Sequence, residues 1–405
     1  MRTPVRHPSR AELVGVAAGA LAAAVPGSLP REALVHAATS AVLTAAGAAI
    51  GCVAVRLRIG AGAAGRVTVV ATTVVVVSSL VVTVWWQNVL RTSSGAPVVG
   101  TVWAAPSVTA VATVAAVLVA PRAALTLAVA ITFAGSDVAQ ATARPPVTAG
   151  VPVTIVATGP SDRTAITEPF DRRPIVERAR RLVERWRSAG GADRAAVVVA
   201  VPTGSGWVDA DALTGFDRRL GGDVATIALP YADAPSWQAF AAGAAAAARE
   251  SAVALVAALD DDLRSHPAPH HPQVYLYGQS LGAIGADAAR VWARGHGVTI
   301  CSTVLAGPPA DTVAPRADDR RVVVNASDPV ARWSVSLLWR PAHLWPGHAD
   351  LPRPPWVPAV SFLQTSVDLL GALSLPTGHG HRYGPEQSAN VPICGPGGPS
   401  HPGKA

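Results

Sequence analysis

The sequence predicts two structural classes in one chain of 405 residues: an all-α bundle of about four transmembrane helices, then an α/β domain with a mostly parallel sheet flanked by helices. Three observations predict it. Long apolar segments fill residues 13–121, and from about residue 148 apolar strand-like runs alternate with helical patterns. One of those runs leads directly into a Gly-x-Ser-x-Gly turn followed by a small-residue pattern of helix type.

The apolar part contains four segments long enough to cross a bilayer: 13–30, 33–55, 67–86 and about 98–120, none holding Asp, Glu, Lys or Arg. Trp85, Trp86 and Trp103 fall near segment ends, where amphipathic rings favour the headgroup layer. A cleaved signal peptide accounts for the first segment at most. Residues 1–121 hold eight Arg and two Glu, so they carry +6 of the chain's formal +7, and the near-neutral remainder implies no nucleic-acid partner.

The arginines also orient the spans. Arg2, Arg6 and Arg10 precede the first, Arg56, Arg58 and Arg66 separate the second from the third, and only Arg31 and Arg91 fall on the other side. Positive charge marks the cytoplasmic side, so the N-terminus is expected there and four spans return the chain to it at Arg122. Residues 123–135 are apolar but too few for a span, which suits an interfacial or packed helix; a fifth crossing there would reverse the side. The expectation is a multi-pass protein of the plasma membrane with its α/β domain on the cytoplasmic face. Cys52 lies within a span, and Cys301 and Cys394 form no motif, so thiols in a reducing compartment are expected.

Four regions follow: transmembrane helices over 1–122, an amphipathic or linker segment over 123–147, the α/β domain over 148–383, and a disordered Gly-, Pro- and Ser-rich tail over 384–405. Strands are expected at 153–157, 195–201, 224–229, 273–277, 302–305, 321–325 and 359–363. Helices are expected at 175–188, 236–264, 282–294 and 365–372. The helix at 175–188 places Ile175, Ala179, Leu182, Val183 and Trp186 on one face and arginines on the other, a basic face expected to be solvated.

The turn Tyr-Gly-Gln-Ser-Leu-Gly-Ala (277–283) has the context of a nucleophile elbow. Gly278 and Gly282 permit a tight bend between strand and helix, so Ser280 stands exposed at the sheet's edge. An oxyanion formed there would meet the Leu281 N–H and the positive end of the helix dipole. A serine nucleophile needs a base, and the base an orienting acid, in the chain order Ser, Asp or Glu, His. Asp328 follows the 321–325 strand just before Pro329, where such an acid belongs, and Pro-Thr-Gly-His-Gly-His-Arg-Tyr (376–383) then offers two imidazoles. Either His379 or His381 can be the base; the sequence does not settle which, and His379 is favoured. A second oxyanion donor is expected from the loop after the 195–201 strand, at Thr203 or Gly204. No Walker loop and no Gly-x-Gly-x-x-Gly fingerprint occurs, so no nucleotide cofactor is suggested, and no cysteine or carboxylate cluster near His379 and His381 completes a metal site.

Six blocks in order carry a family resemblance: Thr-Gly-Ser-Gly-Trp-Val (203–208), Gly-Gly-Asp-Val-Ala-Thr (221–226), Pro-Ser-Trp (235–237), Gly-Gln-Ser-Leu-Gly (278–282), Ala-Ser-Asp-Pro-Val (326–330) and Gly-His-Gly-His-Arg-Tyr (378–383). With Trp-Trp-Gln-Asn (85–88), the chain resembles the bacterial α/β-hydrolases that carry a multi-span N-terminal membrane domain. The resemblance implies an α/β-hydrolase fold and serine hydrolysis, with Ser280, Asp328 and a histidine of 378–383 in the triad. Members more often carry an acidic residue where this chain has Gln279.

The sequence therefore reads as a membrane-anchored serine esterase that cleaves a lipid or other hydrophobic acyl ester without a cofactor, in contact with membrane lipids. Two rivals use the same residues differently. One is a non-catalytic sensor or interaction protein that retains the fold; the other is an acyltransferase or thioesterase with the same triad. A transporter is disfavoured, because the spans lack intramembrane charge.

Overall fold

The computed structural model describes residues 7–119, 164–167, 173–232, 238, 243–345 and 349–394, which fall into two compact units. In chain order the elements are α1 (Arg10–Ala24), α2 (Ala33–Arg56), α3 (Arg66–Ser93), α4 (Thr101–Val119), β1 (Thr164–Thr167), α5 (Ile175–Ser188), β2 (Ala196–Val201), α6 (Ala210–Arg219), β3 (Val224–Ala228), α7 (Ala245–Ser265), β4 (Gln273–Gln279), α8 (Leu281–Gly295), β5 (Ser302–Ala306), β6 (Arg321–Val323), α9 (Val360–Asp368) and α10 (Glu386–Ala389). The segment read at 123–147 and the strand read at 153–157 lie outside the described residues.

The first unit holds α1 to α4 and, from much later in the chain, Val335–Pro341 and Asp350–Leu375. Helices occupy all four apolar segments, and among the described residues α2 and α3, of 24 and 28 residues, are the two long and apolar enough to cross a membrane. α1 ends after 15 residues because Pro26 forces Val25 out of helical geometry, to ψ 128°. The first apolar segment is thus helical over 15 residues, and the described apolar run of α4 is Thr101–Val117. Seven valines of α3 (67, 69, 70, 74, 77, 81 and 82) are exposed. Water rarely tolerates an apolar face of that extent, whereas lipid favours it.

Two Gly-x-x-x-Gly pairs, absent from the reading above, explain how α1 meets α2. A Cβ on Gly15 would lie 2.1 Å from the Gly47 carbonyl oxygen, and one on Gly47 would lie 2.1 Å from that of Gly15. Gly19 faces Leu43 and Gly51 faces Ala11 in the same way, so the two backbones touch directly. At the α1 start, Ser9 and Glu12 close a capping box, the Glu12 N–H donating to Ser9 Oγ at 3.2 Å and the Ser9 N–H to Glu12 Oε2 at 2.8 Å.

The expected strand at 359–363 is instead the start of helix α9. Ser361, Gln364, Thr365 and Asp368 are its buried residues, while Leu363 is exposed. That spacing is helical but the polar side faces inward, the reverse of the pattern by which a surface helix is recognised. Its partners lie in the α1–α2 connection. Asp368 accepts from Arg31 Nη2 at 2.7 Å, Arg31 Nε at 3.0 Å, the Ser28 N–H at 2.6 Å and Ser28 Oγ at 2.9 Å. Gln364 accepts from Arg31 Nη1 at 2.5 Å and donates to the Ala22 carbonyl at 2.7 Å. Leu29, Trp86, Leu90, Leu351 and Leu375 form a small apolar cluster. The uninterrupted α/β region expected over 148–383 is thus divided, because these groups find their partners among the helices.

The second unit is a six-stranded parallel sheet in the order β1-β3-β2-β4-β5-β6. β2 is buried along its whole length, as a central parallel strand must be. Alternation divides it between two cores: Val197, Val199 and Val201 pack with Trp186, Leu255 and Leu276 in one, and Ala196, Val198 and Ala200 with Phe216, Tyr275 and Tyr277 in the other. Each fully buried valine contributes on the order of 1.5–3 kcal/mol of transfer free energy. The basic face of α5 is only partly solvated: Arg178 is buried with Nη2 donating to the Pro230 carbonyl at 2.9 Å, and Arg187 pairs with Asp262.

Two further expectations change. The chain stays folded to Cys394, because Gln387 and Ser388 of α10 are fully buried and satisfied: Gln387 accepts from Tyr277 Oη at 2.9 Å, and Ser388 donates to the Ala212 carbonyl at 2.5 Å. And Cys301 and Cys394 are joined in a disulfide with Cα atoms 5.9 Å apart, not left as thiols. Their 93-residue separation carries no spacing signature, so only the fold brings them together.

Candidate active site

β2 and β4 are neighbours, with Val201 opposite Gly278, although β3 lies between them in the chain. Crossings of that kind open a crevice at the carboxyl ends of parallel strands, and Ser280 stands there, between β4 and α8. Its backbone is at φ 56°, ψ −125°, a region costly for any residue with a Cβ, on the order of 1–3 kcal/mol. The surroundings hold it in place. The Ser280 N–H donates to the Ala306 carbonyl at 3.0 Å, and a Cβ on Gly278 would lie 2.2 Å from the Gly282 carbonyl oxygen. A Cβ on Gly282 would meet the Val201 carbonyl at 2.2 Å and that of Pro202 at 2.8 Å, so glycine there lets the start of α8 press on the end of β2.

The imidazole hydrogen-bonded to Asp328 is that of His381, with Nδ1 to Oδ2 at 2.8 Å. Asp328 is fully buried and also accepts from the Tyr383 hydroxyl at 2.5 Å and from the Val330 N–H at 2.8 Å. These donors fix the carboxylate and, through it, the imidazole plane. His381 Nε2 is buried and has no hydrogen-bond partner among the described residues. His379, favoured by the sequence reading, sits half-buried two positions earlier with its N–H on the Pro376 carbonyl. Gly378 and Gly380 are both left-handed, at φ 91° and 57°, and this winding of the turn decides which ring meets Asp328.

The elbow and the histidine turn are linked by short paths. Gln279, beside Ser280, donates from Nε2 to the His381 carbonyl at 3.2 Å. Gly307 follows the residue that accepts from Ser280, and a Cβ on it would lie 2.6 Å from Tyr383 Oη, 2.7 Å from Asp328 Oδ2 and 2.8 Å from His381 Cε1. Asn325 Nδ2 donates to the Gly380 carbonyl at 3.0 Å and the Arg382 carbonyl at 3.1 Å, while the Gly380 N–H donates to Ser327 Oγ at 2.8 Å. Gln279, Asn325, Ser327, Gly307 and Tyr383 were given no site role by sequence, although Gln279 was noted as a departure from the family pattern. Their signal was position alone, each adjacent to or two to three residues from a singled-out residue or ending a strand.

Of the expected oxyanion donors, Leu281 opens α8, where its N–H has no intrahelical acceptor. Thr203 does not fit as a backbone donor, because its N–H is taken by the Trp207 carbonyl at 2.8 Å within the tight 203–207 turn. That leaves Gly204 of the pair. Beneath the elbow, Tyr277 Oη, Gln387 and Asp209 form a buried chain, Gln387 Nε2 donating to Asp209 Oδ2 at 3.2 Å. Burial raises the pKa of both Asp209 and Tyr277, favouring the protonated form of each.

A family model described as "Alpha/beta-hydrolase family" matches residues 171–322 and 313–393, together more than half of the chain. No curated protein and no solved structure matches.

Proposed function

This chain belongs to the alpha/beta-hydrolase family, and on that premise we propose that it is a membrane-anchored serine hydrolase that cleaves a carboxylic ester through an acyl-enzyme. The observation that carries the proposal is the buried Asp328–His381 pair with its unpartnered Nε2, one hydrogen bond away from the strained elbow of Ser280.

Ser280 Oγ attacks the acyl carbon while His381 Nε2 takes its proton, and the tetrahedral oxyanion is met by the N–H groups of Leu281 and Gly204. His381 then gives that proton to the departing alkoxide. Water, deprotonated by the same nitrogen, releases the acid and restores Ser280. Asp328 keeps the Nδ1–H tautomer and stabilises the imidazolium without taking the proton. Gln279 acts on the backbone of the base: its amide donates to the His381 carbonyl, which an ionised carboxylate at that position would repel.

The two helices long and apolar enough to cross a membrane, α2 and α3, would anchor the enzyme, and the exposed valines of α3 support a lipid environment for it. A lipid or other hydrophobic ester is the substrate this setting favours. The test is labelling of the detergent-solubilised full chain with a fluorophosphonate probe. Wild type should label and Ser280→Ala should not; equal labelling of both, or of neither, removes the proposal.

Gly307→Ala probes the same geometry from behind. An alanine there needs both a left-handed φ of 50° and room already filled by three site atoms, so it should displace the imidazole and slow labelling by roughly 10²-fold. An unchanged labelling rate would show that the close packing does not set the position of His381.

A further inference from the structure

We infer that the α/β domain lies on the opposite side of the membrane from the N-terminus, facing an oxidising compartment. Two separate observations lead there, one from each unit.

The first is where residues 350–375 are fastened. One end of the helical unit carries the chain start and the α2–α3 loop together: the Arg10 N–H donates to the Gly62 carbonyl at 3.0 Å, and the Ala64 N–H to the Pro8 carbonyl at 3.0 Å. Arg10, Arg56, Arg58 and Arg66 belong to this end, with Arg2 and Arg6 just before it in sequence. At the other end of α2 and α3, in the α1–α2 connection and from the last turn of α3 through the α3–α4 connection, the charged residues are Arg31, Glu32 and Arg91, and Arg31 is neutralised by Asp368. The positive-inside rule makes the first end cytoplasmic. α2 and α3, at 24 and 28 residues, are roughly 36 and 42 Å long against a hydrocarbon thickness of about 30 Å, so their other end lies across the bilayer. Asp368 and Gln364 are bound at that far end, on Ser28 and Arg31, and Leu351 and Leu375 sit there on Leu29, Trp86 and Leu90.

Chain continuity then carries the site along. From Asp368 to His381 the sequence passes through Pro-Thr-Gly-His-Gly-His, and from Asp328 to Asp350 it contains Arg332 and Arg340. Neither stretch can cross a bilayer. Asp328 and His381 therefore share the side of Asp368.

The second observation is the Cys301–Cys394 disulfide, buried beside the sheet. Disulfides persist in oxidising compartments and are rare in the cytosol. This reverses the cytoplasmic placement read from the charges with four crossings. The placement requires an odd number of crossings between the N-terminus and Thr164. For the function, the consequence rests on the hydrolase reading: the ester would be one displayed in the outer leaflet or beyond it.

The experiment uses the full chain in a bacterial host, fused at its C-terminus to alkaline phosphatase or to green fluorescent protein, with a phosphatase insertion at Gly62 as control. An active C-terminal phosphatase, a dark fluorescent protein and an inactive Gly62 insertion are expected. Cells lysed in a maleimide mass tag should show one reactive thiol, Cys52, before reduction and three after it. A fluorescent C-terminal fusion with inactive phosphatase, or three thiols tagged without reduction, would overturn the inference. Fluorophosphonate labelling is read separately: its loss beside an active C-terminal phosphatase removes the substrate statement and leaves the sidedness intact.

Discussion

His381→Ala should lower fluorophosphonate labelling and ester turnover by about 10⁴- to 10⁶-fold, while His379→Ala should leave both within roughly tenfold of wild type. The asymmetry follows from one ring. His381 alone is tied to the buried carboxylate in the geometry seen here, at 2.8 Å through Nδ1, with Nε2 left for the serine proton. Asp328→Asn should cost about 10⁴-fold, since an amide can face Nδ1 with its NH₂ and select the wrong tautomer. The Tyr383 hydroxyl, also on Asp328 Oδ2, makes a conservative control. Tyr383→Phe should cost far less, because Val330 and His381 continue to hold the carboxylate. If His379→Ala inactivates and His381→Ala does not, the base is misassigned.

Asp368→Ala should be the most damaging single change in the helical unit, costing about 3–5 kcal/mol. The Arg31 and Asp368 side chains are 5% and 1% exposed, so the alanine variant strands a guanidinium in a dry site and removes the acceptor of Ser28 as well. For a unit of this size the melting temperature in detergent should fall by roughly 10 °C. Replacing both partners, as Arg31→Met with Asp368→Leu, should recover most of the loss, because neither charge then remains unpaired. A single-variant loss under about 1 kcal/mol would mean the pair is hydrated and does not fasten residues 350–375.

What was legible in the sequence is what local periodicity encodes. β2 and β4 were readable because strands buried on both faces are continuous apolar runs, and α5 because Ala179, Leu182, Val183 and Trp186 repeat at helical spacing. The elbow was readable because Gly278 is dictated by a contact within five residues, at Gly282, whereas the contact that requires Gly282 itself, with Val201, is remote and left only the motif as its signal. Where the deciding partner is remote, the reading failed or stayed open. α9 looked like a strand because its inward side is polar, and that side makes sense only against Arg31. The choice between His379 and His381 depended on two left-handed glycines and on Asn325 and Ser327. The disulfide depended on a segment that composition alone marks as unstructured.

The contact of α1 with α2 has a consequence for the order of assembly. Backbone against backbone, with glycines interleaved, is a joint whose close contacts lie wholly within residues 10–56, so it is local in the chain. Its turn then presents Ser28 and Arg31 as a vacant receptor, and the carboxylate that fills it is made 337 positions later. The Asp368 contact therefore spans 337 positions of chain and can form only after residue 368 has been made.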